Sequence, residues 1–258
     1  MAIIKITPQS LATDAVETAK INDDAVTTAK VLDNNVTLAK LGDGTQGDVL
    51  YYGASGAPAR LGFGTSGDFL KTQGTGANPV WASASSDYVK IQTTTLGSAT
   101  TPWTIDGWID GSTYKAYAIY MYNVSTANDG GWILGRWVIG GTVHTGSDYM
   151  YANAIPNSGG SVYTDVSSSA TYWRVHVNST NTYRRMAGQI ILSDPTNTSF
   201  YHSWTNTSYG YDGAANQQSI IGGGVLKSTS ALTGISFYSS GGGNMVADST
   251  LTIYGIKA

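Results

Sequence analysis

The sequence predicts an all-β chain: an elongated amino-terminal repeat stalk, intertwined as a trimer, followed by a jelly-roll-like antiparallel β-sandwich. Three observations predict it. Charged residues make up 12% of the 258 and Glu17 is the single glutamate, so the Glu, Lys and Arg that normally fill helix surfaces are scarce. Glycine is abundant at 32 and tyrosine at 17, a mixture of turn formers and strand formers. Finally, the first third of the chain is repetitive, whereas the rest reads by period two. The resulting divisions are a ten-residue-repeat stalk over 1–43, a Gly-rich β-repeat neck and linker over 44–86, and a sandwich over 87–258.

Composition also excludes classes of chemistry. Without cysteine there is no disulfide, thiolate zinc site or cysteine nucleophile. No apolar run approaches the ~18 residues of a membrane span, and the opening MAIIKITPQS is too short and polar for a signal peptide. A net charge of −3 with scattered Lys and Arg offers no electrostatic footprint for nucleic acid.

In the stalk, apolar residues recur every five positions at Ile6, Leu11, Val16, Ile21, Val26, Val31, Val36 and Leu41. A ten-residue unit overlies them, DAVETAKIND, DAVTTAKVLD and NNVTLAKLGD, with Lys20, Lys30 and Lys40 in phase. On a helix a step of five turns through about 140°, and on a strand it alternates faces, so neither element gains an apolar face. Three copies wound about one axis bury such residues at each turn. The alternative is a pentapeptide solenoid, but eight units without a capping element make a short free-standing coil. Asp14 with Glu17 matches a capping box, which allows single helical turns within the units.

The neck repeats at 20 residues: Gly47-Asp48-Val49-Leu50 returns as Gly67-Asp68-Phe69-Leu70, and Gly56-Ala57 as Gly76-Ala77. Each unit reads as a short strand, a Gly-rich turn and an anchor, Tyr51 and Tyr52 with Leu61, then Phe63 with Trp81. No Gly-Lys-Thr/Ser follows these glycines, so they are turn residues and not a phosphate loop.

These residues carry a resemblance. Residues 11–82, with tandem DAVxTAK units, GTxGDxL repeats and the closing Gly76-Ala77-Asn78-Pro79-Val80-Trp81, resemble the amino-terminal part of bacteriophage tail fibre and receptor-binding proteins. The resemblance implies a homotrimer on the virion, attached to a virion protein through its amino-terminal region, with a carboxy-terminal domain that meets the host or another tail part. The terminal segment from Asp248 to Lys257 is similar to the closing strand of phage tail-tip domains.

In the sandwich, Thr113 to Tyr122 reads as a central strand, and in Thr171 to Val177 the residues Trp173, Val175 and Val177 face away from Arg174 and His176. Further strands are expected over 132–139, 188–193, 198–205, 219–226, 233–239 and 251–256, separated by Gly, Asn, Asp and Pro turns. Eight to ten short strands so punctuated make a jelly roll or a related sandwich.

Catalytic chemistry finds little purchase. The acids of the sandwich are all aspartates, most of them beside turn residues, and Asp106 with Asp110 in TIDGWIDG is the most suggestive pair. His144, His176 and His202 share no metal-ligand spacing, and no serine lies in a Gly-x-Ser-x-Gly elbow. The expectation is a non-enzymatic protein with no cofactor, no metal and no catalytic residue.

Binding is better supplied. Tyr, Trp, Ser, Asn and Gly form a paratope-like vocabulary of rigid rings and adaptable hydrogen bonders, which also suits the apolar faces and hydroxyls of sugars. Two stretches are richest, one with Asp148, Tyr149, Tyr151 and Asn153, the other with Trp204, Asn206, Tyr209, Tyr211 and Asp212. The same rings would serve equally as core, Tyr149 and Tyr151 being successive inward positions of a strand. The function expected is adhesion to a bacterial surface glycan or outer-membrane component, with no nucleic acid and no membrane insertion. The alternatives are a structural virion appendage that docks on other virion proteins and, more remotely, a polysaccharide depolymerase.

Overall fold

The computed structural model describes residues 17, 21–33, 35, 36, 42–128, 131–177, 185–211 and 216–257. It divides into two compact units, Met1–Ala84 and Ser85–Ala258.

Much of the ten-residue repeat, with Ile6, Leu11, Val16, Leu41 and the Asp14 cap, lies outside the described residues. Of its other anchors, Ile21, Val26 and Val36 are exposed. Thr28–Lys30 forms one 3-10 turn, closed by Val31 N–H donating to the Thr28 carbonyl at 3.2 Å.

The 20-residue repeat becomes two β-hairpins, β1 (Val49–Tyr52) with β2 (Pro58–Leu61), and β3 (Asp68–Lys71) with β4 (Val80–Ser83). The same turn opens both. Gly47 and Gly67 each sit at φ +93°, a backbone that glycine adopts without steric cost. Asp48 and Asp68 then accept from the Thr45 and Thr65 amides at 2.8 and 2.9 Å. A strut repeats as well. Arg60 lies opposite Leu50 and Trp81 opposite Leu70. Arg60 donates to the Gly42 carbonyl at 2.9 Å, and Trp81 Nε1 to the Gly62 carbonyl at 2.5 Å. Among the described residues of this unit none is buried, and Leu50, Tyr52, Phe63, Phe69 and Leu70 are exposed.

Among its described residues the second unit has thirteen strands. They are β5 (Tyr88–Thr95), β6 (Trp103–Asp106), β7 (Ala116–Val124), β8 (Trp132–Ile139), β9 (Thr142–Val143), β10 (Tyr149–Pro156), β11 (Val162–Ala170), β12 (Trp173–Val177), β13 (Met186–Ser193), β14 (His202–Tyr211), β15 (Gln217–Leu226), β16 (Leu232–Ser239) and β17 (Thr250–Ile256). All pair antiparallel. One sheet runs β11-β10-β15-β14-β13-β7-β17-β5, the other β12-β8-β16-β6 with β9 on β8. The strands β14 and β15 join β13 to β16, and β9 to β11 join β8 to β12; β15 pairs with β10, so the two excursions merge to widen one sheet.

Both sheets contribute to one core. Tyr117, Ile119 and Met121 of β7 and Leu251 and Ile253 of β17 pack with Trp103 and Ile105 of β6 and Ile235 and Phe237 of β16. Over the widened part the filling is aromatic. Trp137 stacks on Trp173 at 4.8 Å between ring centroids, and Trp204 lies 4.9 Å from Trp173. Tyr149 closes the cluster 5.9 Å from Trp173. Two glycines make room for these rings: a β-carbon on Gly135 would enter the Trp173 indole, and one on Gly224 would meet the Trp204 indole and the Met150 carbonyl.

Two expectations are corrected. The strand expected over 198–205 runs over His202–Tyr211, and β5, β6, β9, β10 and β11 add to those expected. His176 does not share an outward face with Arg174. The pairing of β12 with β8 slips between Arg174 and His176, and a bulge of this kind puts the next side chain on the other face. His176 is accordingly buried, as are Trp173 and Val175.

The aromatic filling generates a stability prediction. Gly135→Ala forces the Trp173 ring to shift, at a cost of about 1–3 kcal/mol for overpacking, so the thermal midpoint should fall by roughly 3–10 °C. Scanning calorimetry of the full chain checks this; an unchanged midpoint would show that the ring is not packed against that backbone.

Candidate ligand-binding surface

Strand alternation sorts the two aromatic stretches. Along β10 the odd-numbered residues Tyr149, Tyr151 and Asn153 are buried, while Met150, Ala152 and Ala154 are exposed. Along β14, Trp204 and Asn206 are buried, and Ser203, Thr205, Thr207 and Tyr209 are exposed. The buried five are therefore packing residues of the interior. Tyr149 hydroxyl accepts from the Trp137 amide at 3.0 Å and donates to the His144 carbonyl at 3.2 Å, and Asn206 donates to the Val175 carbonyl at 3.0 Å. A ligand reaches none of them while the two sheets stay closed. Tyr209 points out, Tyr211 is half-buried at the strand end, and Asp212 lies outside the described residues.

Tyr209 stands on a broad outer face. At about 4.8 Å per strand, eight strands make a surface on the order of 35 Å wide. Its outward positions include Val166 and Met150, then Ile221, Thr207 and Tyr209, then Gln189, Tyr120 and Tyr122, and finally Tyr254 and Tyr88. Among the described strand residues turned this way, Lys90 on the edge strand β5 is the one charge. The tyrosines form a ladder: Tyr88 and Tyr254 have centroids 5.1 Å apart, Tyr254 and Tyr120 5.8 Å, Tyr120 and Tyr122 6.5 Å. The Tyr88 and Tyr120 hydroxyls meet at 3.1 Å. Tyr209 borders two depressions. One, of about 290 Å³, has Tyr120, Gln189 and Thr207 on its walls; the other, of about 260 Å³, has Asn157, Gln217 and Ser219. Ring, amide and hydroxyl are thus arrayed without charge, a surface made for stacking and neutral hydrogen bonding.

Asp148 lies elsewhere. It pairs with His144 at 2.9 Å beside a depression of about 390 Å³ walled by Thr142, Thr145, Ser228 and Ser230. The structure does not bring it together with Tyr209. Asp110 caps its own turn, accepting from the Ser112 amide and hydroxyl at 3.0 and 2.5 Å, and that hydroxyl holds its carboxyl below the ordinary range. A general acid needs the opposite shift. No group of three metal-ligating side chains occurs among the described residues.

Tyr120 and Gln189 join Tyr209 through pairing across β7, β13 and β14, and no spacing along the chain announces that. The signal available was the period-two exposure of Tyr120 and Tyr122 within β7. Comparison with protein-family models, curated proteins and solved structures finds no match to this chain.

His176 gives a pH prediction. Its Nδ1 meets the Ser208 hydroxyl at 3.0 Å, and burial lowers its pKa from 6.5 to about 4. The unfolded chain then binds a proton that the folded chain refuses. Stability is full above pH 6.5 and is lost as pH falls towards 4, by up to on the order of 3 kcal/mol. His176→Asn, which removes the titrating group, should flatten urea midpoints over that window relative to the native chain. Parallel pH profiles would refute this.

Proposed function

We propose that the chain is a homotrimeric bacteriophage tail fibre or receptor-binding protein of the virion. Its amino-terminal repeats form the intertwined stalk that attaches to another virion protein, and its sandwich adheres to a bacterial surface glycan or outer-membrane component. The observation that carries the trimer is that no described residue of the amino-terminal unit is buried. Five large apolar side chains, Leu50, Tyr52, Phe63, Phe69 and Leu70, stand exposed around paired two-stranded hairpins, and isolated hairpins are marginal in water at best. Further copies of the chain supply the burial that one copy lacks.

Strand order supports the jelly-roll reading of the sandwich. Taken alone, β5-β17-β7-β13 facing β6-β16-β8-β12 is the eight-strand order of a jelly roll, an architecture used by viral capsid and lectin domains. The adhesive surface is the uncharged outer face around Tyr209. Three weak sites on one trimer, and several trimers on one particle, bind by effective concentration without new contacts.

One observation favours the second reading, a structural appendage docked on virion protein: the same face is wide, aromatic and depleted of charge, as protein interfaces are at their centres. The two readings differ in what Tyr209 contacts.

Light scattering of the full chain should give three times the 27.1 kDa chain mass. Phe69→Asp, a nearly neutral change at an exposed site of a monomer, should break that mass down because it buries a charge between chains; a native chain of single mass sinks the stalk. Tyr209→Ala should weaken binding to host-range bacterial cells by at least roughly ten-fold. Undiminished cell binding, or binding to virion protein alone, decides for the structural reading.

A further inference from the structure

A further concavity opens where the two sheets part. The strand β11 is an edge of the larger sheet and β12 an edge of the smaller, and between them lies a cavity of about 230 Å³ lined by Trp132, Tyr163, Thr164, Asp165 and Arg174 among others. Arg174 Nη1 donates to Asp165 Oδ1 at 2.8 Å, and its guanidinium lies 4.3 Å above the Trp132 ring. Behind them the buried Asn153, opposite Asp165 in the strand pairing, donates to Asp165 Oδ2 at 3.4 Å. The Asp165 and Arg174 side chains remain 12% and 28% exposed, and Tyr163, 54% exposed, stands at the mouth.

We infer that this cleft holds one neutral pyranose ring of a surface glycan, an assignment that rests on the glycan-binding reading above. Three features select that ligand. The volume falls below the about 300–1,000 Å³ of pockets for drug-sized ligands, which leaves room for a single ring. A carboxylate beside a guanidinium presents acceptor and donor side by side, and two neighbouring hydroxyls, each donor and acceptor, match both. The pair also cancels its own charge, so neither an acidic nor an amino sugar finds a net opposite charge there. A mere clip between the sheets would need only the ion pair, whereas here the pair lines an open cavity with an indole and a phenol. The surrounding positions are held by packing. Arg174 is fixed over Trp132, and Asp165 is fixed by Asn153, so the polar groups are oriented before a ligand arrives.

The test uses the full chain labelled with 5-fluorotryptophan, the Trp132 resonance being assigned with Trp132→Phe. The probes are the methyl glycosides of glucose, galactose and mannose, with glucuronate and glucosamine as charged counterparts. At least one neutral glycoside should shift the Trp132 resonance saturably. Asp165→Asn, isosteric and checked for folding by unchanged Trp137, Trp173 and Trp204 resonances, should weaken that binding about ten-fold or more. Tyr209→Ala should leave it intact. A shift with the charged sugars alone overturns the neutral assignment. Binding to bacterial cells is measured beside it, before and after periodate oxidation of vicinal diols. Periodate-sensitive cell binding with no Trp132 shift, or with an Asp165→Asn variant that binds like the native chain, overturns the cleft and leaves the glycan reading standing. Cell binding that survives periodate overturns the glycan reading and the cleft together.

Discussion

The contact among Trp137, Trp173 and Trp204 sets the geometry of everything around it. Trp137 and Trp173 belong to the smaller sheet and Trp204 to the larger, and the rings meet at centroid distances of 4.8 to 5.7 Å. Their indole nitrogens have no hydrogen-bond partner, so area and ring contact hold the cluster. The strands it anchors, β10, β14 and β15, lie outside the eight that wind between the two sheets. An antiparallel extension with water on both sides would have only ladder hydrogen bonds to keep it, and such bonds contribute little net stability against water. The aromatic cluster gives the extension an inner side.

Once Trp204 and Tyr149 point inward, the geometry of the outer face follows from the pleat. Every second residue of β10 and β14 must point outward, which puts Tyr209, Thr207 and Met150 on the same face as Gln189 and Tyr120. The cluster also fixes the spacing of the sheets at their open edge. There Arg174, one residue from Trp173, faces Asp165 across the seam. A shift of register by one residue in β14 would exchange Trp204 for Ser203 in the core and carry Tyr209 inside. Core and surface are thus two readings of one strand alignment.

How much of this was legible depended on where the apolar signal was clean. The strand Trp132–Ile139 is recovered in full, and Gly47-Asp48 with Gly67-Asp68 announced two equal turns, because glycine followed by aspartate has few other uses. In β14 the inward positions after Trp204 are Asn206 and Ser208. Both donate to the Val175 carbonyl, so alternation in polarity fails where alternation in burial persists. Edge strand β11 is Ser- and Thr-rich on both faces and carries no period. Both aromatic stretches were found, but the sequence could not say which ring of each pointed out, and the bulge that turns His176 inward leaves no compositional mark. The partners of Tyr209 come from strands up to ninety residues away, and only pairing unites them.

The two units also differ in how they reach stability, and this bears on how such a chain would assemble. The sandwich closes on itself: its large apolar residues are shared between two sheets within one chain. The amino-terminal hairpins have turns and struts, but none of the described residues of their unit is buried. Hydrogen bonds such as that from Trp81 to the Gly62 carbonyl define a shape without supplying the hydrophobic burial that offsets chain entropy. Under the trimer proposed above, folding and association of this unit would be one equilibrium, and its stability would depend on chain concentration. On the proposed trimeric reading, a preformed sandwich and an association-dependent stem would divide the work, the first presenting a rigid surface and the second deciding how many surfaces are presented together.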